Sequence, residues 1–154
     1  MHEPLWTSPS DAPIHRHPVR VYIEDTDSGG IVYYANYLRF AERARTEMLR
    51  SVGISHAEMM ENGFALAVRR CEVDYLRPAR LDDDLTVETR VMELSGASID
   101  LAQRIYGDGV ELVRLLVKIV CLNRAGRATR LPDALRTALG QGPDGTPDAA
   151  AGEQ

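Results

Sequence analysis

The segment VRVYIEDTDSGGIVYYANYLRF, residues 19–40, sets two carboxylates, Asp25 and Asp27, one residue apart and follows them with Gly29 and Gly30. Three chemistries use such residue types. A calcium loop begins with acids at alternate positions and a glycine at the sixth, as here. Its fifth position would be Gly29, which has no ligand atom, and its twelfth Asn36 in place of a bidentate Glu, so no metal is expected. A plain turn is the second reading, because Asp and Gly favour turns and an acid near a helix start is stabilised by the helix dipole. Catalysis is the third. Gly29 and Gly30 let backbone approach a ligand closely, and the first turn of a helix near Tyr34 and Ala35 offers unsatisfied N–H groups. Such amides stabilise a carbonyl oxygen that becomes an oxyanion, and a carboxylate just upstream could act on the carbonyl carbon as nucleophile or base.

Other reactive residue types carry weaker patterns. Glu42 and Glu47 fall on the following helical segment, where pairing with a neighbour such as Arg39 or Arg45 accounts for most such acids. His15 and His17 precede the first strand pattern and His56 sits in a short helical stretch, and all three read as surface residues. RLDDDL, residues 80–85, is a polar turn whose adjacent acids repel and want water. Cys71 and Cys121 lack metal or redox spacing and lie in apolar runs, which suits reduced core or interface residues.

The positioning elements are legible from periodicity. PVRVYIE alternates Val19, Val21 and Ile23 with polar partners, predicting a half-buried strand. YANYLRFAERARTEMLRSVG predicts a helix whose apolar stripe is Tyr34, Tyr37, Leu38, Ala41, Ala44, Met48 and Val52, stopped at Gly53. SHAEMMENG predicts a short helix capped by Ser55. From Phe64 the period becomes two. A strand over FALAVRRCEVDYLRPA ends at Pro78, and a second runs from Asp84 to Leu94 with Leu85, Val87 and Val91 on one face. A third carries Ala97, Ile99, Leu101 and Ile105, and the GDG turn at 107–109 leads to a fourth. That last strand, with Val113, Leu115, Val117, Ile119 and Cys121, is expected deep in the sheet, and LPDALRTAL closes as a helix. One long apolar helix needs a sheet to bury it. The expectation is an α+β chain of hotdog architecture, a five-stranded antiparallel sheet wrapped around one central helix.

The chain has 154 residues and a net charge of −5, which suits one domain and lacks the basic footprint of a nucleic-acid binder. Residues 1–17 and 140–154 are rich in Pro, Gly and Ala and are expected to be tails around a domain at 18–139. The N-terminal stretch has no apolar core of a signal peptide, and no run is long enough to span a bilayer, so a cytoplasmic protein without membrane insertion is expected.

The run VRVYIEDTDSGGIVYYANYLRFAERARTEML, extended by VRRCEVDYLRPARLDDDLTVET, resembles the hotdog acyl-CoA thioesterases of the YbgC and 4-hydroxybenzoyl-CoA thioesterase type. The likeness covers most of residues 18–125. It implies hydrolysis of an acyl-CoA to the free acid and coenzyme A, with no cofactor, coenzyme A being part of the substrate. Asp27 matches the catalytic carboxylate, as nucleophile or general base; Asp25 matches a supporting acid; and Tyr34 matches the position whose backbone N–H polarises the thioester carbonyl. Many YbgC-type members carry histidine where this chain has Tyr34, whereas the 4-hydroxybenzoyl type carries tyrosine, so the acyl preference stays open. Gly29 and Gly30 would admit the substrate, and Arg77, Arg124 and Arg127 are candidates for the coenzyme A phosphates, with Arg80 and Arg130 of the same kind. The resemblance further implies a homodimer or homotetramer formed edge to edge, with sites at the subunit interface. Alternatives are a non-catalytic acyl-CoA-binding module, an envelope-associated scaffold, and a dehydratase, which would need a catalytic histidine.

Overall fold

In the computed structural model, which describes residues 13–140, the chain runs β1 (His15–Arg20), α1 (Asn36–Ser51), α2 (His56–Glu61), β2 (Ala65–Tyr75), β3 (Asp84–Leu94), β4 (Ser98–Gly107), β5 (Val110–Leu122) and α3 (Asp133–Gly140). All strand pairs are antiparallel, in the order β1-β3-β4-β5-β2. The sheet wraps around α1, the hotdog arrangement expected from the periodicity.

Alternation decides which face is inside. Leu85, Val87 and Thr89 of β3, Ile99, Leu101, Gln103 and Ile105 of β4, and Val113, Leu115, Val117, Ile119 and Cys121 of β5 are all buried. α1 meets this surface through Tyr37, Phe40, Ala41, Ala44, Met48 and Leu49. The stripe is rotated from the expected one: Tyr34, Leu38 and Val52 are exposed, and Phe40 and Leu49 are buried in their stead. Ala41 and Ala44, both fully buried, set the rotation, since small side chains let the helix axis approach the sheet. A polar clamp holds that approach. The Gln103 side-chain amide, wholly buried, donates to the Ala41 carbonyl (3.0 Å) and to Thr89 Oγ1 (2.9 Å), while its Oε1 accepts from Arg45 Nη1 (3.0 Å).

Several expectations need correction. The first strand starts at His15, inside the stretch expected as tail, and ends at Arg20 opposite Asp84. Beyond it Val21 bonds to the Asp82–Asp83 turn, and Ile23–Asp25 form a 3₁₀ turn with Ile23 74% exposed, where a buried strand position was expected. β2 ends at Tyr75, before Pro78, because the Leu76 and Arg77 amides both turn onto the Leu112 carbonyl. Cys71 is exposed on β2, a long edge strand, whereas Cys121 is buried. Residues 1–12 and 141–154, most of the expected tails, lie outside the described residues. Among the described residues no helix is long and apolar enough to cross a membrane.

Candidate active site

The acidic loop is tied down by a strip of backbone pairing. Thr26 bridges Val32, Ile31 bridges Arg80, and the Val32 amide donates to the Ala79 carbonyl (2.9 Å). Ala79 in turn donates its N–H to the Tyr37 hydroxyl (2.9 Å) on the first turn of α1. The β2–β3 connection therefore holds both the loop and the helix start, and it fixes one relative to the other.

Within the loop the two acids differ sharply. Asp25 is 6% exposed, and both carboxylate oxygens are engaged: Oδ2 accepts from the Tyr22 amide (2.8 Å) and Oδ1 from Asn36 Nδ2 (2.6 Å). Its backbone carbonyl accepts from the Tyr33 amide (2.9 Å). Asp25 thus binds the 3₁₀ turn to the helix start, each carboxylate oxygen accepting one bond in a buried position. Asp27 is exposed, and only its Oδ1 is engaged among the described residues, by the Gly29 amide (2.8 Å). Its N–H donates to the Ile31 carbonyl and its own carbonyl accepts from Gly30, so the carboxylate stands on a rigid turn with Oδ2 open. Gly30 occupies φ 82°, a left-handed conformation that admits glycine at little cost, and a Cβ on Gly29 would lie 3.3 Å from Asp27 Oδ1.

Tyr34 precedes α1 and is 62% exposed. Among the described residues neither the Tyr34 nor the Ala35 amide donates to a protein acceptor, whereas the next amide, of Asn36, closes onto the Tyr33 carbonyl (2.8 Å). The Tyr34 carbonyl accepts from the Tyr75 hydroxyl (3.1 Å), a contact sequence reasoning did not find, because Tyr75 lies on the far side of two helices and a strand. The rings of Tyr33, Tyr34, Tyr75, Tyr37 and Phe40 form a chain of contacts with centroids 5.1–6.1 Å apart. Burial raises the phenol pKa of both Tyr37 and Tyr75, so both stay protonated donors or acceptors through neutral pH.

The helix acids and histidines stand elsewhere. Glu47 pairs with Arg50 (3.4 Å). Glu42 lines a cavity of about 140 Å³ with Arg45 and His56 at the side of α1; Arg45 bonds to Gln103, not to Glu42. His15 and His17 lie on β1, and His56 opens α2, none of them in the loop.

The arginines separate into two groups. Arg77 follows the end of β2 and Arg80 pairs with the loop itself, both at the site end of the sheet. Arg124 and Arg127 follow the opposite end of the β2–β5 ladder, where Ala65 pairs with Leu122, about 33 Å away at the usual strand rise. Arg124 is also occupied, capping α2 through the Glu61 carbonyl (3.1 Å) and packing over Gly63. Among the described residues no group of three or more His, Cys, Asp and Glu converges to hold a metal.

A family model of the thioesterase-like superfamily matches residues 21–139. The chain belongs to that superfamily. The expected class, a thioesterase, therefore stands. Among the relatives of this thioesterase, the acyl-CoA thioester hydrolase YbgC of Escherichia coli O6:H1 is 45% identical over 111 residues, covering 71% of this chain and 83% of that one. The acyl-CoA thioesterase YbgC of Haemophilus influenzae is 46% identical over 107 residues, covering 69% and 79%. In structure, a probable thioesterase from Bartonella henselae is similar at TM-score 0.74 and 39% identity, covering 78% of this chain and all of that one. A 1,4-dihydroxy-2-naphthoyl-CoA thioesterase from Synechocystis shares the fold at TM-score 0.79 and 24% identity, covering 84% and 97%.

Proposed function

We propose that this thioesterase hydrolyses acyl-CoA thioesters to the free acid and coenzyme A. Asp27 supplies the carboxylate and the Tyr34 amide at the start of α1 supplies the oxyanion donor. One observation carries the reading: an exposed carboxylate with an open oxygen stands on a loop braced to a helix start whose leading amides are unspent. Asp27 either attacks the carbonyl carbon, giving a mixed anhydride that water then cleaves, or takes a proton from the attacking water. In both routes negative charge gathers on the carbonyl oxygen, where peptide dipoles stabilise it. The thiolate of coenzyme A, with a thiol pKa of about 8.5, leaves without a dedicated general acid, so a site without histidine suffices. A cytoplasmic location is part of this reading.

The working unit in this reading is a homodimer, alone or doubled into a tetramer. β2 leaves one full edge of backbone donors and acceptors unpaired by the sheet, over eleven residues, and a second copy can add there. If two β2 strands pair antiparallel, the end near one copy's Ala65 meets the end near the other's Tyr75. The partner's Arg124–Arg127 turn then faces the loop carrying Asp27, which would reconcile arginines that lie far apart in a single chain with one diphosphate.

The test is thiol release across short aliphatic, long aliphatic and aromatic acyl-CoAs, with Asp27→Asn alongside. Wild type turns over at least one of them and the Asn variant loses nearly all activity. Full activity of Asp27→Asn removes Asp27 from the chemistry. Loss in Glu42→Gln instead moves the acid to the helix, and ligand binding without thiol release makes the chain a binding module.

A further inference from the structure

We infer that the oxyanion site holds a second donor, the Ala35 amide, and that Tyr75 is the positioning residue that aims it. The inference rests on the Asp27–Tyr34 reading above and concerns how that site is completed. Two consecutive peptide planes lead into α1. The Tyr33–Tyr34 plane carries the Tyr34 N–H, and its carbonyl, on Tyr33, accepts from the Asn36 amide at 2.8 Å. The Tyr34–Ala35 plane carries the Ala35 N–H, and its carbonyl, on Tyr34, accepts from the Tyr75 hydroxyl at 3.1 Å. Each plane is thus held from its carbonyl side while its N–H is left without a protein acceptor among the described residues. A hydrogen bond to a peptide carbonyl polarises the N–H of the same peptide, so both amides become stronger donors as well as better-oriented ones.

The two restraints have different origins. The Asn36 bond is local, part of the turn that starts the helix. The Tyr75 bond comes from the edge strand β2, and without it nothing described in the structure holds the Tyr34–Ala35 plane from the carbonyl side. Tyr75 is itself held in place. Its ring meets Tyr34 edge to face (6.0 Å, 79°) and lies 5.8 Å from Tyr37, whose hydroxyl is locked by the Ala79 amide. The geometry at Ala35 also suits a donor pointing outward. Ala35 is the residue before α1 begins, with φ −71° and ψ −18°, and no side chain caps the helix there. Its N–H is therefore one of the orphan groups of a helix start and carries a share of the positive end of the dipole.

Two substitutions separate this role from mere bracing. Tyr75→Phe keeps the ring packing and removes only the hydroxyl. It lowers kcat about fivefold to tenfold, the effect of losing one hydrogen bond, with KM within twofold and the thermal midpoint within about 3 °C. Ala35→Pro deletes the N–H at a φ that the proline ring adopts. Because a proline also restrains Tyr34 before it in the Tyr33–Asn36 turn, the thermal midpoint is measured alongside, and kcat falls about a hundredfold or more with the midpoint kept within about 5 °C. Wild-type kcat in Tyr75→Phe, or a loss of midpoint with unchanged kcat, makes the tyrosine a structural brace and overturns its positioning role. Wild-type kcat in Ala35→Pro removes the second donor. Asp27→Asn measured in the same series tells the two levels apart. If it is inactive while Tyr75→Phe and Ala35→Pro are normal, only the present inference falls. If it is fully active, the Asp27 reading falls first.

Discussion

Replacing Asp25 by alanine should unfold the loop energetically without touching the reacting groups. The side chain accepts from the Tyr22 amide and from Asn36 Nδ2, at 2.8 and 2.6 Å, in a position 6% exposed. Alanine leaves the Asn36 amide buried and the Tyr22 amide part-buried, both without this acceptor. Each such donor costs about 1–3 kcal/mol, towards the upper end here because the lost acceptor is a carboxylate, so the expected loss is about 3–5 kcal/mol. For a domain of this size one kcal/mol moves the midpoint by roughly 4 °C, which puts the drop at about 12–20 °C. Differential scanning calorimetry of the alanine variant measures it directly. Asp25→Asn should fall between, since an amide can keep one acceptor but turns its NH₂ towards the other donor. Asp27→Asn is the control: its single bond, from the Gly29 amide, can be kept by the Asn carbonyl oxygen, so its midpoint stays within about 2 °C while turnover is lost. The reasoning is refuted if Asp25→Ala holds the wild-type midpoint and loses turnover, for then Asp25 acts in the chemistry and the assignment of the two acids is inverted.

The glycines should fail in opposite ways. At Gly30, φ is 82° and nothing lies within 4 Å of an added Cβ, so Gly30→Ala should cost about 1–2 kcal/mol of stability by backbone strain alone, read from a urea titration. Gly29→Ala meets Asp27 Oδ1 at 3.3 Å and should depress kcat by displacing the carboxylate, with little change in stability. His15 gives a pH test. Its Nδ1 is buried without a partner among the described residues, and burial, then the charge of His17, lowers its pKa below the ordinary 6.5, with Glu47 opposing. A histidine whose folded value is depressed favours the neutral folded form, so stability present above pH 6.5 should decline as pH falls through the window down to the folded value. His15→Gln should flatten that decline in denaturation midpoints measured from pH 7.5 to 5, and an unchanged slope would assign it to other groups.

Much of the frame was readable along the chain. β3 was expected from Asp84 to Leu94 and runs there, and Ser55 caps α2 by accepting from the Glu58 amide. The turn before β5 falls at Asp108 and Gly109, both at positive φ. These are local matters: a period of two, a cap and a turn are set by neighbours within a few residues. The acidic loop itself was legible as two acids, two glycines and a helix, and the resemblance singled out Asp27. The residues alone left the acids equivalent. What separates them is Asn36, eleven positions on, whose side chain reaches back to Asp25 and leaves Asp27 in the open.

The tertiary structure alone decided the rest, because each remaining feature joins segments whose sequence separation carries no periodic signal. The rotation of α1 depends on how closely Ala41 and Ala44 come to the sheet, and on Gln103 clamping the Ala41 carbonyl from β4. The placement of β1 depends on pairing with β3 some seventy residues later, which draws His15 out of the expected tail. The distance between Arg77 and Arg124 is set by the length of one ladder, and the restraint on Tyr34 comes from Tyr75 on an edge strand. Sequence determined which groups were available near the start of the helix; packing across the sheet determined which of them is buried, which is open, and which way the peptides between them point.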